Sequence, residues 1–422
     1  MLQSRQHKFR DDSLALIDSV ETGIDHVVAS MTDRLVDVRR HMHSHPEPSG
    51  EELETTAFIA SQLKGVGLEP RLCKQDIGVV ADWEFGDVTD ETPRLAVRCD
   101  IDALRLPDQK DVLYRSQVTG IAHACGHDVH TSITLGSAMT LLQSSLNADY
   151  AKTAARLRFI FQPAEETCEG ARWLVEQGVL DGVDAILALH VDPELDVGKV
   201  GLRSGSLTAS CDEVDVLIEG KGGHGARPHQ SLDPIAAAAQ LVSSLYQALP
   251  RSVDSRQPSV LTFGKIAGGS APNVIPECVE LRGSLRAVNI STRDSLYRRI
   301  REVAEGVERM TGTSIRIRFL NSLPSVVNHP RIIAAMENAA RRVVGGENTH
   351  FLDLPSMGGE DFAVYLEHVP GAMLRLGCSP VGAARRTLLH SPFFDVDEAA
   401  IGIGVRIMTR TALLLASDGF RG

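Results

Sequence analysis

The chain has 422 residues, 43% of them hydrophobic, enough for two domains or one large domain with a sizeable core. Its formal net charge of −12 argues against nucleic acid, whose phosphates need Lys and Arg. Its seven cysteines are odd in number and scattered, so they form no disulfide framework and point to a reducing, cytoplasmic compartment; no run of about eighteen apolar residues is evident, so no membrane span is expected.

Residues 1–30 lack the charged-then-apolar layout of a signal peptide. Leu14, Ile17, Val20, Ile24, Val27 and Met31 recur there at helical spacing instead, which predicts an amphipathic helix packed on the domain as an extra element. Arg39-Arg40-His41-Met42-His43-Ser44-His45-Pro46-Glu47 looks like a metal tract. Pro46 breaks the helix and residues 51–63 restart one, so packing or capping is the preferred account of these histidines. Residues 94–104 read as a buried strand, apolar until its carboxyl end, where Asp100 emerges and Asp102 follows in the loop. In open α/β sheets, ligand-binding groups gather at the carboxyl ends of strands.

The chain is organised around His123-Ala124-Cys125-Gly126-His127-Asp128-Val129-His130. Three His, one Cys and one Asp in eight residues can all donate a lone pair to a metal. Gly126 lets the backbone bend so that Cys125 and His127 point into one cavity. Residues 131–143 follow at helical period, which puts the ligands on a loop feeding a helix N-terminus, with Asp128 and Thr131 as good caps. A second strand, 157–162, runs straight into Pro163-Ala164-Glu165-Glu166, and a third, 185–189, ends in His190. One of two adjacent carboxylates can ligate a cation while the other accepts a proton from water. A short helix from 170 to 178 follows, with Gly178 as its stop.

Beyond His190 the texture changes. Residues 212–220 alternate apolar and polar, which suggests a sheet with one wet face. A Gly-rich loop, 220–229, holds His224 and His229. Asp233-Pro234 caps a helix through 236–249, strands follow at 259–266 and 278–286 around Pro272-Asn273-Val274-Ile275-Pro276, and a helix at 292–311 and a strand at 314–319 complete the unit. The helix-and-strand texture of the first part returns at Ser322, so residues 207–321 are read as an α+β domain inserted between 1–206 and 322–422. The last part supplies Met357-Gly358-Gly359-Glu360-Asp361-Phe362 and Leu388-Leu389-His390-Ser391-Pro392. By itself His390 reads as an ordinary loop histidine.

From about residue 35 onward the chain resembles the two-metal amidohydrolases and peptidases that include aminoacylases and glutamate carboxypeptidase. Within them it is most similar to the branch of hippurate hydrolases and indole-acetyl-amino acid (auxin-conjugate) hydrolases. The motifs that carry this are Arg98-Cys-Asp-Ile-Asp-Ala-Leu, His123-Ala-Cys-Gly-His-Asp, Gln162-Pro-Ala-Glu-Glu, Leu189-His-Val, Gly222-Gly-His-Gly-Ala, Pro272-Asn-Val-Ile-Pro and Leu389-His-Ser-Pro. The resemblance implies an α/β catalytic domain with a mostly parallel sheet and an inserted α+β, ferredoxin-like lid and dimerisation domain. It also implies two divalent metal ions, Mn2+ or Zn2+, on Cys125, His127, Glu166, His190 and His390, with Glu165 as general base, His224 reaching the site from the inserted domain, and Asn273 and Arg286 on the substrate. Asp100 and Asp128 would stand behind the ligands. Other branches begin their site with His-x-Asp; here Arg98 replaces that His, and Cys99 stands where this branch more often has a small residue and is expected to be structural. The implied reaction is cleavage of an N-acyl-amino acid amide by metal-activated water, in a homodimer with no nucleic acid or membrane partner. The alternative is a dipeptidase or carboxypeptidase on the same site.

Overall fold

The computed structural model describes residues 2–144, 154–383, 386–417 and 420, with backbone alone for 2–20 and 144. Two compact units result. One comprises Met1–Gly205, Val327–Asp353 and Val364–Gly422; the other comprises Ser206–Val326 and Leu354–Ala363.

The first unit is built on an eight-stranded, mostly parallel sheet. Its order is Pro70–Leu72, Val79–Phe85, Ala155–Gln162, Arg94–Asp100, Ala185–Asp196, Gly371–Ser379, Val200–Leu202 and Thr349–Phe351. The four central strands run parallel. They are largely apolar because a parallel sheet is covered on both faces; Leu95, Leu157, Phe159 and Ile186 are all fully buried. Register sets Asp100 opposite Gln162 and Arg375 opposite His190, so the carboxyl ends of neighbouring strands come out side by side.

Helices Leu2–Ser44, His127–Ser144, Pro330–Val344 and Ala399–Ser417 pack against one another beside this sheet. A Cβ on Gly136 would stand 2.6 Å from Val405 Cγ2 and 2.8 Å from Leu35 Cδ1, so only glycine lets three of these helices approach this closely. The amphipathic N-terminal helix is one element through Ser44, with Ile24, Val28, Met31 and Leu35 buried; the side chains of Leu14, Ile17 and Val20 lie outside the described residues. Ala399–Ser417, 19 residues long, is apolar enough to cross a membrane by length and composition, where no such run was expected. Most of it is buried in the core of this unit, which accounts for its apolarity.

Three local expectations change. The helix after the His-Cys stretch begins at His127, four residues earlier than its apolar period, so His127 and Asp128 lie in its first turn. Asp128 and Thr131 do not cap it: Asp128 pairs with Arg39 and His43, and Thr131 Oγ1 donates to the Asp100 carbonyl. The strand that was to end at His190 continues to Asp196.

The second unit holds a four-stranded antiparallel sheet in the order Ser259–Gly268, Cys278–Ala287, Ser210–Glu219, Ser314–Leu323. Residues 210–218 alternate buried and half-buried, and Glu219 is exposed. Helices Pro234–Ala248 and Ile290–Thr311 join the sheet's apolar residues in one core with Val214, Val216, Leu241, Leu281 and Ile300. Asp233 Oδ1 accepts from the N–H groups of Ile235 and Ala236, which caps the first of these helices as its sequence requires. A small ribbon pairs Gly223–His224 with Val274–Ile275.

Leu35 is fully buried where the first helix meets Gly136. Leu35→Ala should cost about 2–5 kcal/mol, the usual range for a large-to-small change in a close-packed core, measured as a fall in the urea midpoint of the metal-free protein.

Candidate metal centre

The site of the first unit is assembled at the carboxyl ends of its central strands. Arg98, fully buried, donates to Gln162 Oε1 at 2.8 Å and to Asp100 Oδ2 at 3.0 Å. Asp100 accepts from His130 Nδ1 at 2.7 Å, and His130 Nε2 accepts the Val191 N–H at 2.9 Å. Both ring nitrogens of His130 are therefore spent inside the protein, and it holds no lone pair for a metal. Burial works against the Asp100 charge, but His127, His130 and Arg98 hold its carboxyl well below the usual range. Cys99, beside it, is buried, and burial pushes its thiol up to about 12.

His127 is oriented differently. Its Nδ1 donates to the Asp102 carbonyl at 3.0 Å and to Asp102 Oδ1 at 3.1 Å, which leaves the ring's lone pair on Nε2. Asp102 Oδ2 takes the Glu166 N–H at 3.0 Å and the Ser49 hydroxyl at 2.6 Å. His190 donates Nδ1 to the Val191 carbonyl at 2.7 Å, so its Nε2 also faces the site, 3.5 Å from Cys125 Sγ. Glu166 Oε1 lies 3.8 Å from His127 Nε2 and 3.5 Å from His390 Nε2. Glu165 Oε2 lies 3.9 Å from His127 Nε2.

The ligand atoms thus fall into overlapping groups, each within 4.8 Å: Cys125, His127 and His190; Cys125, Glu166 and His390; His127, Glu165 and Glu166. Two of these atoms, His127 Nε2 and Glu166 Oε1, are buried and have no hydrogen-bond partner. Buried lone pairs without partners are costly, and a divalent cation satisfies them. The donor set of thiol, imidazoles and carboxylates suits zinc or manganese. Burial, and then Glu166, raises the Cys125 thiol well above its ordinary value. Burial lowers His190 well below the usual imidazole range. The Glu166 carboxylate, 3.5 Å away, raises His390. Gly126 has φ +85°, and a Cβ there would stand 2.4 Å from Val191 Cγ2, so the bend between Cys125 and His127 requires glycine.

Behind the ligands lies a buried ionic cluster that sequence reasoning did not assemble. Arg39, 1% exposed, donates to Asp128 at 2.7 Å, Asp395 at 2.8 Å and Glu398 at 3.2 Å. His43 bonds Asp128, and Lys110 Nζ bonds His43 and the Phe394 carbonyl. The histidine tract at 39–47 therefore splits: His43 packs into this cluster, while His41 and His45 stay exposed, with His41 stacked on Phe58 and His45 beside His41. Asp102 was also missed as the residue that aims His127. The available signal was its place just beyond a strand end.

The remaining expected residues lie on the second unit. His224 is exposed, and its Nδ1 accepts the Ala226 N–H at 3.0 Å. The Asn273 carbonyl accepts the Gly225 N–H at 2.8 Å, so His224 and Asn273 share one end of the small ribbon. Arg286 donates to the Met357 carbonyl at 2.8 Å.

Asp102→Asn keeps the shape of the side chain but weakens the bonds that hold His127 and Glu166. It should lower cation affinity about tenfold to a hundredfold, as loss of a ligand-orienting partner does, read by calorimetric titration with Mn2+ or Zn2+.

Residues 96–414 match the peptidase family M20/M25/M40. The chain is 39% identical over 377 residues to the N-acetyl-L-cysteine deacetylase of Bacillus subtilis, covering 89% of this chain and 86% of that one. It is 30% identical to thermostable carboxypeptidase 1 of Saccharolobus solfataricus, covering 89% and 94%. Its fold superimposes with a TM-score of 0.80 on a crystal structure described as a dinuclear metal-binding peptidase of the M20 family from Bacillus subtilis. That match is 35% identical and covers 93% of this chain and all of the other. The strand-end cluster of thiol, imidazole and carboxylate groups and these matches together make the chain a hydrolase of the M20/M25/M40 peptidase family.

Proposed function

We propose that this hydrolase is a metal-dependent amidohydrolase that releases the amino acid from N-acyl-amino acids. The observation that carries the reading is the pair of buried, unpartnered lone pairs on His127 and Glu166, with a second carboxylate, Glu165, 3.9 Å from the same imidazole. Cys125, His127, Glu166, His190 and His390 would hold two divalent cations, Mn2+ or Zn2+. Those cations would supply Lewis-acid polarisation of the amide carbonyl and acidify water. Glu165 takes the proton of the attacking water and delivers it to the leaving amine. In this reading Asp100 and Asp128 stabilise the charge and position of the ligand residues from behind. His224 on the second unit stabilises the oxyanion, and Asn273 and Arg286 bind the substrate carboxylate or acyl oxygen. The ferredoxin-like second unit serves as lid and as homodimer contact. The seven cysteines are unpaired, which supports the cytoplasm as the working compartment.

The deacetylase relative supports an N-acyl substrate, and the carboxypeptidase relative supports a second reading, a C-terminal peptide bond as the target. A hydrolysis panel of acetyl-, benzoyl- and indole-acetyl-amino acids against dipeptides, with added Mn2+ or Zn2+, separates the two. Turnover should favour the acyl-amino acids and vanish with a chelator. Glu165→Gln should lower kcat about a hundredfold to ten-thousandfold, the usual loss of a general base, with metal content unchanged. Glu166→Gln should lose metal as well. Equal metal loss in both variants would contradict the division of labour between the two carboxylates.

A further inference from the structure

Glu52 belongs to none of the motifs above, yet it is completely buried. It stands just before helix Leu53–Gly65, at the position of an N-cap, but makes no side-chain capping bond. Its Oε1 instead accepts the Ala164 N–H at 2.8 Å, while Oε2 is buried with no partner. Burial, and then the neighbouring Asp102, push its carboxyl up to about 7. A group kept at such a cost needs a reason beyond helix capping.

Ala164 supplies one. It is fully buried and has φ +55°, the left-handed region that a residue with a Cβ avoids. It immediately precedes Glu165. The turn around it has no slack. A Cβ on Gly170 would stand 1.7 Å from the Pro163 carbonyl oxygen, and one on Gly78 would stand 2.9 Å from Pro163 Cδ. Thr56, one helical turn beyond Glu52, accepts the Gly78 N–H at 2.9 Å. The first turn of this helix therefore grips both sides of the Pro163-Ala164 corner. Beyond the corner, Asp102 holds the Glu166 N–H at 3.0 Å. The backbone is clamped on either side of Glu165, at residue 164 by Glu52 and at residue 166 by Asp102.

We propose that Glu52 is a positioning residue for the general base: by holding the Ala164 N–H it keeps Ala164 left-handed and so aims Glu165. This rests on the assignment of Glu165 as the base. Glu166 keeps its own anchor on Asp102, so Glu52 acts on proton transfer and leaves cation binding alone. A glycine at 164 takes positive φ without a Cβ cost, which makes the grip of Glu52 dispensable.

The test uses the full chain loaded with Mn2+ and compares Glu52→Met, nearly isosteric but without an acceptor, with Glu52→Gln, which keeps one, and with Glu52→Met combined with Ala164→Gly. Glu52→Ala replaces the Met variant if that one fails to fold. Glu52→Met should lower kcat by about a hundredfold, the effect of a shift of roughly 1 Å at a reacting group. KM and Mn2+ affinity by calorimetry should not change. Glu52→Gln should keep most of the activity, and the double variant should recover it. Crystals of Glu52→Met should show Ala164 outside the left-handed region, and those of the double variant should show residue 164 back in it. Wild-type kcat in Glu52→Met, equal losses in the Met and Gln variants, or a parallel loss of cation affinity would overturn the proposal. If the wild-type protein hydrolyses no acyl-amino acid, the functional reading fails instead, and the backbone angle at Ala164 in the variant crystals still decides the role of Glu52.

Discussion

Asp102 accepts from three separate pieces of chain: the imidazole of His127, the hydroxyl of Ser49 and the N–H of Glu166. A carboxylate this deeply buried keeps its charge only with such partners. Burial opposes it, and the bond from His127 leads the effects that hold it below the usual range. What the arrangement delivers is a fixed relation between two lone pairs. His127 Nε2 and Glu166 Oε1 end 3.8 Å apart, neither with a hydrogen-bond partner, because Asp102 has already fixed the imidazole of one and the backbone of the other. The order needed to receive a cation is settled during folding rather than at the moment of binding.

A second layer holds the first. Arg39 sits at the meeting of the N-terminal helix, the first turn of the His127 helix and the loop that follows His390, through Asp128, Asp395 and Glu398. Removing a guanidinium from water is expensive, and three carboxylates offset that cost only while all stay in place. The His390 loop gains further anchors: the His390 N–H on the Ala124 carbonyl at 2.8 Å, and Lys110 on the Phe394 carbonyl at 2.7 Å. Residues far apart in the chain thus share one buried charge cluster, and through it the candidate ligands His127 and His390 share a scaffold.

Much of this was legible in the chain itself. Largely apolar runs named three of the four central strands, at 94–104, 157–162 and 185–189, because a parallel sheet covered on both faces leaves little wet side to break the run; the fourth, Gly371–Ser379, was not picked out. Acids and a His at the ends of those runs named Asp100, Glu165, Glu166 and His190, and the density of donor types named Cys125 and His127. What escaped was decided by tertiary contact. Asp100 and Asp102 look equivalent by position, but one turns to His130 and the other to His127. Arg39 and Asp128 are 89 residues apart, and no periodicity pairs them. Asp128 has the right chemistry for a helix cap, yet the buried guanidinium competes for it and wins. Ala164 gives no hint of a left-handed backbone in a residue type that avoids one, and Glu52 looks like any acid ahead of a helix.

The central claim is that five side chains from four separate stretches, Cys125, His127, Glu166, His190 and His390, form one site for two divalent cations. Anomalous diffraction from crystals of the full chain grown with Mn2+ tests it most directly. The account predicts two anomalous peaks, each in contact with members of this set and none with His130, whose nitrogens are already spent. Peaks lying elsewhere, or a cation bound by His130, would contradict it.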